Sequence, residues 1–282
     1  MFTLILENEY HDRMELTHNI NYDIISTDGF DPPDAVICTT SGAGTDGSIF
    51  NSSRLENRTI TLTIAINYPA EENRLTLYRF FSPKRYVKMR HITETRDVYT
   101  EGHVQNVTVD MFAQKQIAQV TVICSNPYLV NSENAITNFS YVENLFEFPF
   151  SIDSTGEAFS ELHTVQEEIA INNGEVETGA IIEMHARGAV TNPSITYADT
   201  GEKITLALTL SAGDTVTINT REKQKSITLT HNGVTTSVVG YMSADSVFFQ
   251  LRPGECALVV DASSGAANID TTVTVEGHFT GV

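Results

Sequence analysis

Apolar residues recur at every second position through long stretches of this chain, a period that fits β-strands and little else. In Arg58–Ile66, Ile60, Leu62, Ile64 and Ile66 fall on one side, with Thr59, Thr61, Thr63 and Ala65 on the other. That is the pattern of a half-buried strand. The same alternation runs through Phe2/Leu4/Leu6, Ala118/Val120/Val122/Cys124, Ile204/Leu206/Leu208/Leu210 and Val273/Val275/Gly277/Phe279. Turn signals divide the second half about every 10 residues: Asn173-Gly174, Thr200-Gly201, Ala212-Gly213-Asp214, Asn232-Gly233 and Pro253-Gly254. Short strands at that spacing predict a sandwich rather than a parallel sheet. Asn232-Gly233, between residues 226–230 and 234–239, predicts a hairpin, because the pair supplies the positive φ that a tight turn needs.

One helix interrupts the strands. Pro69-Ala70-Glu71-Glu72 opens it with acid in the first turn, and Leu77, Phe80 and Phe81 follow at helical spacing. Pro83 ends it near Lys84 and Arg85, so its charges suit the helix dipole. Residues 39–53, rich in Ser and Gly, read as a long loop that is either mobile or used for contacts. A domain boundary is expected within residues 130–137, where strand patterning lapses and the charge balance changes. Residues 1–130 hold 11 Lys+Arg against 16 Asp+Glu, net −5; residues 131–282 hold 6 against 20, net −14. The expected domains are 1–132 and 133–282.

The whole chain carries a formal charge of −19, which disfavours DNA, RNA and anionic membranes as partners. No window approaches the roughly 18 apolar residues of a membrane span, and the N-terminal apolar run is too short for a signal peptide. Cys38, Cys124 and Cys256 are odd in number and without metal-ligand spacing. They read as free thiols of a protein made in a reducing cytosol.

Catalytic motifs are missing. There is no GxSxG, HExxH, P-loop or GxGxxG after a strand. The Gly-rich segment 41–47 lacks the Lys-Ser/Thr pair that would grip a phosphate. Eight scattered histidines (11, 18, 91, 103, 163, 185, 231 and 278) offer no ligand pair. Asp28, Asp31, Asp34 and Asp46 lack the spacing of a calcium loop. No catalytic, metal or cofactor-binding residue is therefore assigned, and no enzyme activity or cofactor is expected. His185, Arg187 and Asn192 bear a faint likeness to a galectin's sugar-binding set, but their spacing is wrong and the chain has no Trp to stack on a sugar. Arg79, Lys84, Arg85, Lys88, Arg90 and Arg96, interleaved with Tyr86 and Tyr99, form one basic segment in an acidic chain. It reads as an exposed helix end and strand satisfied by carboxylates of the same or a neighbouring subunit, rather than as a dock for nucleic acid.

Ordered across the chain are Asp31-Pro32-Pro33, Gly44-Thr45-Asp46-Gly47-Ser48-Ile49-Phe50, Asn57-Arg58-Thr59-Ile60-Thr61-Leu62 and the helix Asn73-Arg74-Leu75-Thr76-Leu77-Tyr78-Arg79-Phe80-Phe81. They continue with Val122-Ile123-Cys124-Ser125-Asn126-Pro127-Tyr128-Leu129, and Glu147-Phe148-Pro149-Phe150 as the strand entering the second domain. In this order and spacing the N-terminal half resembles the tail-component family of long-tailed phages, the distal tail proteins, from a phage or a prophage. The second half is similar to that family's galectin-like sandwich through Val190-Thr191-Asn192-Pro193-Ser194-Ile195, Leu210-Ser211-Ala212-Gly213-Asp214-Thr215 and Phe249-Gln250-Leu251-Arg252-Pro253-Gly254. The resemblance covers nearly the whole chain.

The resemblance implies a mainly β fold, with an N-terminal split-barrel ring domain carrying one helix and a C-terminal galectin-like β-sandwich. It implies a homo-hexameric hub ring at the virion tail tip, assembled in the bacterial host cytoplasm. Such a ring joins the tail tube protein to tail-associated baseplate or receptor-binding proteins. Tight nucleic-acid binding and membrane insertion are not expected. Residues 2–6 and Arg58–Ile66, taken as edge strands, and the loop 39–53 are the expected subunit contacts. Two rivals share the all-β pattern: a carbohydrate-binding adhesion or receptor-recognition protein, and a glycoside hydrolase on a sandwich scaffold.

Overall fold

The computed structural model describes residues 2–44, 46–144, 160–164 and 166–282; the expected strand at 147–150 lies outside them. The chain divides into two compact units, Met1–Glu133 with His278–Val282, and Asn134–Gly277. The expected second domain ran to residue 282, whereas the structure returns the last five residues to the first unit.

In the first unit the strands are β1 (Thr3–Asn8), β2 (Arg13–Glu15), β3 (Tyr22–Asp28), β4 (Ala35–Thr40), β5 (Ile49–Leu55) and β6 (Arg58–Ile66). Helix α1 (Ala70–Phe80) follows, then β7 (Tyr86–Ile92), β8 (Asp97–Val109), β9 (Gln116–Cys124) and β10 (Leu129–Asn131). One nine-stranded sheet runs in the order β2-β1-β7-β8-β9-β6-β3. β10 pairs with β8, and the returning strand His278–Phe279 pairs with β10. The sheet curls around a single core. Strands near both of its ends, through Leu6 and Tyr22, share that core with Leu77, Phe80 and Phe81 from the helix region. The alternation read in β6 is the inward row, with Ile60, Leu62 and Ile64 fully buried. The helix runs as its spacing predicts, with acid in the first turn and Arg79 in the last. The Tyr22 hydroxyl ties it to β3 by donating to the Asn73 carbonyl at 2.8 Å.

Two of the expected edge strands are not edges. β1 lies between β2 and β7, and β6 between β3 and β9. Alternation reports which face of a strand is buried, but it is silent on which neighbours the strand has. The true ends are β2, only three residues long, and β3, which carries a bulge between Ile24 and Ser26. Both features blunt an edge against unwanted pairing.

The second unit holds β11 (Ala135–Asn138), β12 (Ser140–Asn144), β13 (Ser160–Thr164), β14 (Glu167–Asn172), β15 (Ala180–Ala186), β16 (Val190–Tyr197), β17 (Glu202–Thr205), β18 (Thr209–Leu210), β19 (Thr215–Asn219), β20 (Ser226–His231), β21 (Val234–Ser237), β22 (Gly254–Ser264) and β23 (Ile269–Val275). A six-stranded sheet runs β11-β23-β15-β19-β20-β21, and a five-stranded sheet runs β14-β22-β16-β17 with β18 beside β16. Residues of both sheets, among them Ile182, Val216 and Val273 from one and Ile195, Tyr197 and Leu258 from the other, form one buried cluster. This is a β-sandwich. Its β20–β21 hairpin turns on Asn232 and Gly233, at φ 49° and 78°.

The sequence pattern overruns in two places: Ile204/Leu206/Leu208/Leu210 reads as one strand but breaks between β17, ending at Thr205, and β18, starting at Thr209. Val273/Val275/Gly277/Phe279 reads as one strand, but β23 stops at Val275, which pairs with both Ala135 and Ala180 where the ladders end. His278–Phe279 then pairs in the other unit. No helix among the described residues is long and apolar enough to cross a membrane.

Candidate assembly interface

Residues 39–53 do not form the loop that their composition predicts. β4 and β5 pair with each other alone as a separate two-stranded sheet, an arm. Eleven of the arm's thirteen strand residues are exposed. A strand with neither face buried has no reason to alternate, so its pairing leaves no period in the sequence. The exposed residues include large apolar side chains, with Ile37 55%, Ile49 74% and Phe50 60% exposed. An isolated two-stranded hairpin is marginal in water, and apolar groups left on such an element mark a contact surface.

The base of the arm is built differently. Gly29, at φ 91°, presses on β6 so closely that a Cβ would lie 2.0 Å from the Thr59 carbonyl oxygen. Beside it sits Arg58, only 3% exposed. Its guanidinium donates to four backbone carbonyls, those of Gly29, Asp31 at 2.8 Å, Pro127 at 2.8 Å and Thr280 at 2.7 Å. Burial pushes its pKa down, yet a guanidinium keeps its proton. The four carbonyl dipoles solvate the charge, and the Asp31 carboxylate supports it coulombically. Phe30 packs on the His91 ring with centroids 5.0 Å apart, and Phe2 stacks on the same ring at 5.4 Å.

Three members of the basic segment, Arg85, Lys88 and Arg90, face carboxylates in place. Arg85 lies 3.4 Å from Glu9 and over the Tyr10 ring. Lys88 lies 3.6 Å from Glu101 and 3.6 Å above the Tyr99 ring. Arg90 grips Asp97, whose pKa is lowered chiefly by that hydrogen bond. Arg96 donates to the Gly281 carbonyl and covers the Phe279 ring. Tyr86 is pushed up by burial and by its bond to Glu101. Arg79 bonds the Leu75 carbonyl in its own helix.

The galectin-like trio does not converge. His185 bonds Thr215 on the six-stranded sheet, Arg187 bonds the Ala267 carbonyl, and Asn192 bonds Ser263 on the other sheet. Asp28, Asp31, Asp34 and Asp46 form no cluster, and no group of three or more His, Cys, Asp or Glu suited to a metal occurs among the described residues. Sequence reasoning missed Arg58 and residues 278–282. An Arg opening an apolar strand was the available signal, since such a position buries a charge.

Two family models match the chain in succession. Residues 15–124 match the phage tail protein RIFT-related domain, and residues 173–277 match the siphovirus-type tail component, C-terminal domain. No curated protein sequence matches. Among solved structures, the Dit protein (gp 19.1) of SPP1, described as a paradigm of the hub adsorption apparatus in phages infecting Gram-positive bacteria, is similar. It superposes with TM-score 0.68 at 11% identity, over 99% of each chain. A chain of the phage P2 baseplate in its calcium-activated conformation matches with TM-score 0.51 at 10% identity, over 98% of each chain. The fold, from the curled one-helix sheet to the sandwich, is thus shared with a phage hub protein over 99% of the chain. The chain belongs to the siphovirus-type phage tail component family, that of the distal tail proteins, and is a phage tail component.

Proposed function

We propose that this protein forms a homo-hexameric hub ring at the tail tip, joining the tail tube protein to tail-associated baseplate or receptor-binding proteins. It assembles in the host cytoplasm and acts as scaffold rather than enzyme. The observation that carries this reading is the β4–β5 arm, which offers Ile37, Ile49 and Phe50 to solvent on an element that cannot bury them against its own unit. A ring needs a heterologous contact, one surface of each copy meeting a different surface of the next. An arm that meets a neighbour's barrel supplies one. The description of the SPP1 protein as a hub supports the same reading.

Charge opposes assembly, since six copies at −19 carry −114. The ring should therefore form more readily as salt screens it, and its lumen would not hold passing DNA. Native mass spectrometry and electron microscopy test this at low salt and at about 0.3–0.5 M salt. The expected species is six times 31.0 kDa, with sixfold symmetry around an open channel. A chain that stays monomeric or two-fold dimeric throughout, with and without co-expressed tube protein, overturns the ring and favours a binding module.

A further inference from the structure

The returning segment is fastened to the first unit at every residue, and its contacts converge on the base of the arm. His278 and Phe279 pair with Val130 and Leu129, and His278 stacks on Tyr128 with ring centroids 5.5 Å apart. Phe279 lies beneath Arg96, 4.8 Å from its guanidinium. The Thr280 carbonyl takes the fourth bond of Arg58, whose other bonds hold Gly29, Asp31 and Pro127. The Gly281 carbonyl accepts from Arg96, and a Cβ at Gly281 would meet the Pro32 ring at 3.0 Å. The Val282 amide donates to the Phe30 carbonyl at 3.3 Å. Residues 29–32 are thus held between Arg58 and residues 280–282.

What is held there sets the arm. Pro32 and Pro33 follow, each with φ fixed by its ring, so a direction imposed at Phe30–Pro32 is carried stiffly into β4, which starts at Ala35. On the other side only Glu56 and Asn57 separate β5 from Arg58. Both strands of the arm therefore leave the barrel within a few residues of the same clasp. We propose that residues 278–282 are a positioning segment for the arm. They fix the direction in which β4–β5 leaves the barrel, so the contact with the next copy exists only after the chain has passed through the whole second unit and returned. Ring formation is thereby confined to chains whose second unit has been completed. The inference rests on the ring reading above.

The test compares the full chain, a chain ending at Gly277, and the full-length double variant Arg96→Ala with Phe279→Ser, which loosens the segment without touching the arm or Arg58. Hydrogen exchange at β6 and β9 first establishes that the barrel is folded in each, and the double variant serves if the shortened chain fails this check. Native mass spectrometry over a dilution series then gives the concentration at which rings dissociate. Loosening the segment is expected to raise it at least tenfold, with exchange quickened at residues 29–34 and unchanged in β6 and β9. A loosened chain with a folded barrel that forms rings at the full chain's concentration overturns the proposal and leaves the ring reading standing. A full chain that forms no ring sinks the ring reading, and this inference with it.

Discussion

Two buried polar side chains carry separable consequences. Arg58 is a cation whose partners are all carbonyls. Arg58→Met would remove the charge but leave four partly buried carbonyls without their donor, at a cost of about 1–3 kcal/mol, read as a lower urea midpoint with unchanged m. Arg58→Lys should recover only part, because an ammonium cannot reach four carbonyls in a plane. His91 is the opposite case. It packs against two Phe rings, its Nδ1 has no hydrogen-bond partner, and burial lowers its pKa from 6.5. The unfolded chain then takes up a proton that the folded chain resists. Stability should be flat above about pH 6.5 and fall as pH drops from there towards the folded-state pKa. Thermal melts between pH 7.5 and 4.5 should show this fall, and His91→Phe should flatten it relative to the parent. Equal slopes in the two proteins would exclude His91 as the cause.

At the scale of elements, the arm and the strands differ in what their side chains serve. Ile60, Leu62 and Ile64 build a core, so truncating any one to Ala should cost about 2–5 kcal/mol of stability. Ile49 and Phe50 are exposed, so Ile49→Ser with Phe50→Ser should leave the monomer's stability within about 0.5 kcal/mol while weakening the ring. A destabilised monomer would show that the arm folds against its own unit instead. The arm also carries Cys38, exposed, whereas Cys124 and Cys256 are buried and their thiol pKa values are raised by burial. One thiol per native monomer should react quickly with a chromogenic disulfide reagent, and three after unfolding. Slowing of that single reaction at concentrations where rings form would place Cys38 in the contact.

For the whole molecule, the sandwich Asn134–Gly277 has its own buried cluster and should fold alone as a soluble monomer with a cooperative melt. The fragment 1–133 lacks residues 278–282 and so loses the Thr280 and Gly281 acceptors of Arg58 and Arg96. It should melt below the same fragment co-expressed with a chain that supplies the sandwich and the returning segment; equal melting would mean that the segment adds nothing to the barrel. The net charge of −19, with Arg85, Lys88 and Arg90 paired to Glu9, Glu101 and Asp97, predicts no gel-shifted DNA complex at about 150 mM salt. Retardation that weakens steeply with salt would mean that those ion pairs open.

The period-2 rows of Arg58–Ile66 and residues 118–124, the helix preceding Pro83 and the Asn232-Gly233 turn were legible because each is set by contacts a few residues apart, which leave a period or a turn residue behind. The charge contrast between the halves and the missing motifs likewise need no coordinates. Four features needed the tertiary structure: which strands are edges, the pairing of the arm, the breaking of the 273–279 row between two units, and the clasp at Arg58. Arg58 and Thr280 are 222 positions apart. A bond between a side chain and a distant backbone carbonyl constrains no residue type at the carbonyl, because every residue has that carbonyl.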